Sequence, residues 1–164
     1  MKKNIFTVIV TYNSGKVIND CLRSLCKKSE INDNNIIIVD NNSQDNTIQL
    51  IKQSFNNVKL NKLSDNKGFS KAVNIGIKQA LTRRADYILL LNPDTLVETS
   101  LRHSLKLFDK DNRLGVAAPL LKTLYHRQTT YDCGLKYRSF IGKTISIRVA
   151  DKHKKVCKPD FVSG

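Results

Sequence analysis

Residues 35–40 read NIIIVD, and this stretch decides the fold. Its four consecutive apolar residues predict a β-strand that is buried on both faces, as the strands of parallel sheets are. The polar run Asn41-Asn42-Ser43 follows at once, so the strand is expected to end at Asp40. A strand buried on both faces needs neighbouring strands and covering helices, and the rest of the chain has to supply them.

Strand and helix patterns alternate along the first 121 residues. The predicted strands are Ile5–Thr11, Asn35–Asp40, Val58–Leu63, Asp86–Leu91 and Val116–Leu121. The predicted helices, with apolar residues about 3.6 positions apart, are Lys16–Lys28, Ser43–Phe55, Gly68–Leu81 and Glu98–Phe108. In the third helix, Phe69 and Leu81 are expected to bound the core-facing stripe. The alternation predicts an α/β fold with a mostly parallel sheet covered by helices on both faces, and the fourth strand is expected to be buried.

Polar segments follow four of the predicted strands, and we call these four segments the rim. They are Thr11-Tyr12-Asn13-Ser14, Asp40-Asn41-Asn42-Ser43, Asp65-Asn66-Lys67-Gly68 and Asn92-Pro93-Asp94. In open parallel sheets, ligands bind outside the carboxyl ends of the strands. The sequence therefore predicts a ligand site along the rim.

Composition narrows the classes of protein to consider. The 164 residues are 40% hydrophobic, with 28 Lys and Arg against 14 Asp and Glu, a net charge of +14. That excess suits an anionic partner: a nucleic acid, an anionic membrane surface or a phosphorylated substrate. No apolar stretch approaches the roughly 20 residues that span a bilayer, and Ile5–Val10 is too short for a secretory signal. A cytoplasmic protein is expected, with Cys21 as a reduced core residue.

Two common nucleotide sites do not match the rim. The first rim segment continues as TYNSG over residues 11–15, without the Gly-x-Gly-x-x-Gly pattern of dinucleotide sites. The complete Walker pattern, Gly-x-x-x-x-Gly-Lys-Ser/Thr, is absent as well. Adenine methyltransferases have an aromatic residue after Asn-Pro-Pro, and the Asn-Pro of this chain is followed by Asp94 instead.

The rim carboxylates suit a different kind of nucleotide site. A carboxylate at a strand end can accept a hydrogen bond from the imide N–H of uracil or thymine. A second can ligate Mg²⁺ or Mn²⁺, which take few protein ligands and complete their shell with diphosphate oxygens and water. Each Asp taken alone is more commonly a helix cap or a turn residue. The agreement among several rim segments favours the ligand interpretation.

Four motifs, in order and spacing, resemble the nucleotide-binding half of the family 2 inverting glycosyltransferases. They are IFTVIVTYNSGKVINDCLRSL, NIIIVDNNSQDNT, DNKGFSKAVNIGI and YILLLNPDTLV, and they cover about residues 4–121. The Asn-Pro-Asp form is most similar to rhamnosyltransferase-type bacterial members that build O-antigen or other cell-surface polysaccharide. The resemblance implies a GT-A (Rossmann-like) fold and transfer of a sugar, with rhamnose as one candidate, from a nucleotide-diphosphate donor to a glycan or lipid-linked acceptor.

The resemblance also implies which residues bind the base and ribose of a UDP- or dTDP-linked sugar. Thr11 and Tyr12 would line the base and ribose pocket. Asp40 would hold the pyrimidine imide, with Asn42 nearby.

Five further residues would contact the rest of the donor. Lys67 and Gly68 would lie beside the nucleotide, and Asn74 would face the donor from the third helix. Asn92 and Asp94 would occupy the positions of an Asp-x-Asp motif, with Asp94 as the ligand of Mg²⁺ or Mn²⁺. Asn92 departs from the usual Asp of the family, and its neutral amide would bind sugar hydroxyls or phosphate through water.

Residues 122–164 are expected to form a second region, the incomplete start of an acceptor-side β region. Tyr125–Val149 alternates aromatic and basic residues in short β pieces, and DFVSG at 160–164 resembles the start of the family's acceptor-side segment. The family's general base is an acidic residue beyond that segment, so it is expected beyond Gly164 and no residue of this chain is predicted to be catalytic. We therefore expect a truncated, fragmentary or degenerate protein that binds the donor without efficient transfer.

Two alternatives use the same observations. A basic nucleic-acid-binding module fits the net charge, but the Lys and Arg residues are dispersed and the aromatics form no RNP- or OB-like platform, so no nucleic-acid partner is predicted. A non-catalytic partner that completes another chain's acceptor domain is the second alternative. Peripheral contact with the inner face of an anionic cell membrane is a further expectation from the charge.

Overall fold

The computed structural model describes residues 3–29, 31–125, 128–138 and 143–149. The chain divides into two units, Met1–Ser100 and Leu101–Gly164. The segment DFVSG at 160–164 lies outside the described residues. The division of function at residue 121 stays a prediction.

The first unit is an α/β sheet built from alternating strands and helices. Its elements are β1 Ile5–Thr11, α1 Ile18–Lys28, β2 Ile36–Asp40, α2 Thr47–Ser54, β3 Lys59–Lys62, α3 Phe69–Thr82 and β4 Tyr87–Leu91, with a 3₁₀ turn over Asp33–Asn35. The four strands pair in parallel in the order β3-β2-β1-β4. The predicted mostly parallel sheet flanked by helices is confirmed.

The core lies on both faces of β1 and β2, because successive strand residues point to opposite faces. On one face, side chains of the two strands pack with Ala72 and Ala80 of α3. This helix comes so close to the sheet at Gly76 that a Cβ there would lie 2.4 Å from Val8 Cγ1. On the other face, α1 and α2 contribute buried side chains, and Cys21 is one of them, a free and buried thiol as predicted.

Three helices begin later in the chain than the sequence predicted. Helix α1 begins at Ile18 rather than Lys16. Helix α2 begins at Thr47 rather than Ser43, because the preceding residues make hydrogen bonds to the first two rim segments instead of turning into a helix. Helix α4, over Arg102–Lys110, begins four residues later than the predicted Glu98.

The prediction that the fourth strand is buried is wrong for part of it. Strand β4 lies at one edge of the four-stranded sheet, and Leu90 is 50% exposed. Phe69 and Leu81, placed in the core stripe by sequence, are also mostly exposed. They occupy the first and last turns of α3, whereas Ala72, Gly76 and Ala80 between them are buried.

The second unit contains helix α4 and a separate antiparallel sheet. Its strands are β5 Leu121–Tyr125, β6 Gln128–Arg138 and β7 Lys143–Val149, in the order β5-β6-β7. The β prediction for Tyr125–Val149 is thus confirmed over the described residues. The predicted strand Val116–Leu121 is wrong: residues 115–120 form no regular element, and Pro119 lacks the N–H that a strand position needs.

Within the described part of the chain, no helix is both long and apolar enough to cross a bilayer.

Candidate functional site

The strand order places all four rim segments at one edge of the first unit. Thr11 pairs with Asp40, which pairs with Lys62, so the carboxyl ends of β1, β2 and β3 are level. Strand β4 lies on the opposite side of β1, with Leu91 beside Ile9. From β1 the chain adds β2 and then β3 on one side of the sheet, and it then crosses over to add β4 on the other side of β1. The direction in which strands are added therefore reverses between β1 and β4. In open α/β sheets, such a reversal opens the crevice where ligands bind.

Thr11 and Asp40 form the buried floor of the rim. Both are 0% exposed, and the Thr11 hydroxyl donates to Asp40 Oδ1 at 2.8 Å. Ser43 donates twice to the same carboxylate, from its hydroxyl to Oδ1 at 2.5 Å and from its backbone N–H to Oδ2 at 2.9 Å. Three donors therefore compensate the desolvation of Asp40.

The first two rim segments are joined by side chains that accept from consecutive backbone N–H groups. Asn13 N–H donates to Ser43 Oγ at 2.9 Å, Ser14 N–H to Thr47 Oγ1 at 2.8 Å, and Gly15 N–H to Asp45 Oδ2 at 2.9 Å. In dinucleotide sites, free N–H groups of this turn hold the pyrophosphate. Here the protein's own side chains occupy them, which agrees with the exclusion of such a site from sequence.

The same contacts set the electrostatics of Asp45. Partial desolvation raises the pKa of this carboxyl, but hydrogen bonds from the Thr47 hydroxyl and from the backbone N–H groups of Gly15 and Thr47 outweigh it and hold the pKa below its usual range. Asp45 therefore stays ionised at neutral pH and links the start of α2 to the turn after β1.

The third rim segment is tied to the second by a residue that the sequence reasoning missed. Asn41 is only 3% exposed. Its Nδ2 donates to Asn66 Oδ1 at 2.7 Å, and its Oδ1 accepts from Lys67 N–H at 2.8 Å. Asn66 Oδ1 also accepts from Gly68 N–H at 3.0 Å. The sequence did contain a signal for this link, because Asn41 directly follows β2 and Asn66 lies in the polar segment after β3.

The predicted site residues on this segment and on α3 are more accessible. Lys67 pairs with Asp65 at 2.8 Å, with the Lys67 side chain 39% exposed. A hydrogen bond from Lys67, and to a smaller extent one from Ser64, lowers the pKa of the Asp65 carboxyl. Gly68, at the start of α3, has φ +78°, a left-handed conformation that favours glycine. Asn74 is exposed on α3.

Two predicted site residues stand above the buried floor. Tyr12 is 52% exposed. Asn42 is half-buried with φ +67°, and its Oδ1 accepts from the Gln44 side chain at 3.2 Å. With Thr11, Asp40, Lys67 and Gly68 they belong to three rim segments that hydrogen bonds hold together.

Asn92 and Asp94 lie across the switch point from those segments, after β4. Both are exposed, and Thr95 N–H donates to the Asn92 carbonyl at 3.2 Å, which forms a tight turn around Pro93 and Asp94. The turn lies against α1. The pKa of the Cys21 thiol on this helix is raised to about 12, mainly by burial and secondly by the nearby negative charge of Asp94. Asp94 is thus held near α1 with its carboxylate open to solvent.

The residues at this turn suit a hard divalent cation that takes few protein ligands. Among the residues whose side chains are described, no three His, Cys, Asp or Glu come together. Mg²⁺ and Mn²⁺ are commonly held by one or two carboxylates, with phosphate oxygens and water completing the shell. The exposed carboxylate of Asp94 fits that role, whereas the buried carboxylate of Asp40 already accepts three hydrogen bonds.

The sequence matches the family described as Glycosyl transferase family 2 over residues 7–161. Over 117 residues it is 33% identical to the poly-beta-1,6-N-acetyl-D-glucosamine synthase of Staphylococcus aureus (strain COL), a match that covers 69% of this chain and 27% of that protein. The protein of the same name from Staphylococcus epidermidis is 30% identical over 116 residues, which cover 69% of this chain and 27% of that protein.

Solved structures of S. aureus TarS 1–349 have the same fold. The TM-score is 0.56 at 26% identity, over 71% of this chain and 38% of that one. The complex of TarS 1–349 with UDP-GlcNAc gives a TM-score of 0.55 at 26% identity, over 71% of this chain and 37% of that one. The GT-A fold expected from the motifs is therefore confirmed.

The chain spans 27% of the length of the curated relatives and 38% of the TarS structure. The family match nevertheless covers nearly all of this chain, and all four motifs fall mainly within it. This chain belongs to glycosyl transferase family 2.

Proposed function

We propose that this chain forms the nucleotide-sugar-binding part of a glycosyltransferase that transfers a sugar to a cell-surface polysaccharide or a lipid-linked acceptor. The observation that carries the proposal is the meeting of all four rim segments at one sheet edge, with the strand order reversing between β1 and β4. That reversal creates a crevice, and Asp94, which is exposed to solvent, lies on one side of it.

In this proposal, the β1 and β2 segments bind the base and ribose. The exposed ring of Tyr12 provides a surface for stacking, and Thr11 and Asn42 complete the pocket. Asp40 is the proposed acceptor for the pyrimidine imide. Its Oδ2 accepts a single hydrogen bond from Ser43, so a lone pair remains, but because the residue is fully buried the contact requires this part of the rim to open.

The third rim segment and α3 are proposed to flank the nucleotide. The partly exposed ammonium of Lys67 supplies positive charge, and Gly68 lets the backbone turn into α3 without a side chain in the way. Asn74, on the exposed side of α3, is proposed to contact the donor.

The turn after β4 is proposed to hold the diphosphate end of the donor. Asp94 would ligate Mg²⁺ or Mn²⁺, and Asn92 would bind sugar hydroxyls or phosphate through water. When bound, such a cation neutralises charge on the diphosphate and so assists departure of the nucleoside diphosphate. Donor binding is the step assigned to these residues.

The donor has two candidate identities. The Asn-Pro-Asp form favours a dTDP-linked sugar such as rhamnose. Similarity to poly-beta-1,6-N-acetyl-D-glucosamine synthases and to TarS in complex with UDP-GlcNAc supports UDP-linked N-acetylglucosamine instead. Peripheral contact with an anionic membrane stays a prediction from the charge of +14, and liposome flotation with and without anionic lipid would test it.

Calorimetric titration of the 164-residue chain with UDP and with dTDP tests the proposal, in Mn²⁺ and in EDTA. We expect one nucleotide to bind more tightly with Mn²⁺. Asp94→Asn should weaken that binding by about tenfold or more, the scale of one charged interaction. Asp109→Asn, which changes an exposed acid on α4, is the matched control and should leave it unchanged. Absence of Mn²⁺-dependent binding of both nucleotides in a sample shown to be folded by circular dichroism would contradict the proposal.

A further inference from the structure

Helix α1 contacts the turn after β4 at two points that the motifs do not explain. We call residues 92–97 the β4 loop. The Cys21 thiol donates to the Asn92 carbonyl at 3.5 Å, and Val97 N–H donates to Ser24 Oγ at 2.9 Å. Cys21 and Ser24 are three residues apart and so lie on the same face of the helix. Their two contacts bracket Asp94.

The hydroxyl of Ser24 is itself oriented. It donates to the Cys21 carbonyl at 2.8 Å, so its proton is directed into the helix and a lone pair is directed at Val97 N–H. Cys21 is fully buried, and Ser24 is half-buried. Water therefore competes poorly for either contact, and both helix residues hold the loop backbone in one place.

Helix α1 is in turn fixed to the other side of the crevice. Ile18 N–H, at its first residue, donates to the Ser14 carbonyl at 3.0 Å. Ser14 N–H donates to Thr47 Oγ1 at 2.8 Å, which joins it to the cross-linked β1–β2 segments. A continuous chain of contacts thus runs from those segments through α1 to the β4 loop.

We propose that Cys21 and Ser24 are positioning residues that set the distance between Asp94 and the β1–β2 segments before the donor binds. The inference rests on the proposed function, because it assigns a purpose to the placement of Asp94. Holding the loop in advance removes part of the ordering cost that binding of a cation–diphosphate complex would otherwise carry. Neither residue contacts the donor in this proposal.

The test compares Ser24→Ala with Ser29→Ala in the 164-residue chain. Ser29 makes the same kind of double contact at the far end of α1, donating to the Leu25 carbonyl and accepting from Ile31 N–H. We expect Ser24→Ala to raise the Kd of the bound nucleotide (UDP or dTDP) in Mn²⁺ about 3- to 10-fold, the scale of one hydrogen bond. The Kd in EDTA should not change, Ser29→Ala should affect neither value, and Ser24→Thr should restore the wild-type Kd.

Amide hydrogen exchange in the nucleotide-free chain gives a second readout. Ser24→Ala should speed exchange at Val97, and Ser29→Ala should not. An equal loss of affinity in Mn²⁺ and EDTA, an equal effect of Ser29→Ala, or unchanged exchange at Val97 would overturn the proposal. If the wild-type chain binds neither nucleotide, the proposed function fails, and exchange at Val97 still decides whether Ser24 holds the loop.

Discussion

The two sides of the crevice are built in opposite ways. On the β1–β2 side, polar side chains are bonded to one another and to the backbone: buried Asp40 accepts three hydrogen bonds, and Ser43, Thr47 and Asp45 accept from three consecutive backbone N–H groups. On the β4 side, Asn92 and Asp94 are exposed. Contacts from α1 reach this loop through its backbone and leave both side chains open.

The difference separates a carboxylate that stabilises the rim from one that is available to a metal ion. Two carboxylates, Asp40 and Asp94, each come at or shortly after the end of a strand made of apolar residues. Asp40 stabilises the fold because three protein donors bind its carboxylate, and Asp94 is available to a cation because no protein donor binds it within the described contacts. Fold stability should therefore depend on the β1–β2 side and metal-dependent binding on the β4 side.

The largest expected effect on the free energy of unfolding comes from replacing a carboxylate of the rim with an amide. Asp40→Asn should lower the free energy of unfolding by about 2–3 kcal/mol, because one acceptor oxygen becomes a donor that faces Thr11 or Ser43. Asp94→Asn should change it by less than about 0.5 kcal/mol, as exposed substitutions usually do. Urea denaturation measures both. Similar losses in the two variants would remove the distinction between the two carboxylates.

A smaller effect is expected at Thr47. Thr47→Val keeps the shape of this fully buried side chain but leaves Ser14 N–H without its acceptor, at a cost of about 1–3 kcal/mol. Thr82→Val is the control, because that exposed hydroxyl donates only to a carbonyl of its own helix and should cost under about 0.5 kcal/mol. Chemical denaturation of both variants is the measurement. A cost at Thr47 no larger than at Thr82 would mean that the cross-links do not stabilise the rim.

The smallest effect concerns pH. The pKa of Asp45 is lower in the folded chain than its usual value of 3.8, so its stabilisation is present above pH 4 and is lost as the pH falls through the folded pKa. Asp45→Asn should therefore flatten the acid side of the stability profile. The difference should be under about 1 kcal/mol, because solvent screens an exposed carboxylate. Thermal unfolding between about pH 2.5 and 7 would show it, and an unchanged acid slope would contradict the assignment.

Periodicity identified the elements of the first unit better than their ends. Strands β1 and β2 could be predicted to within a residue, because their apolar runs admit one interpretation. Helix α2 begins later than predicted, because its first turn is replaced by contacts with residues about 30 positions earlier in the chain. Val116–Leu121 failed for a local reason that the sequence does contain, Pro119.

The sequence by itself determined the α/β alternation, the four rim motifs and the family they resemble, since these depend on residue type and spacing. Only the tertiary structure decided which rim residues are buried. In the tertiary structure, three donors bind Asp40, and Asn41 links the second and third rim segments. Cys21 and Ser24 contact the backbone of the β4 loop. Apart from the two hydrogen bonds that Ser43 donates to nearby Asp40, these outcomes depend on contacts between residues far apart in sequence, which the strand order β3-β2-β1-β4 brings together. No local pattern encodes that order.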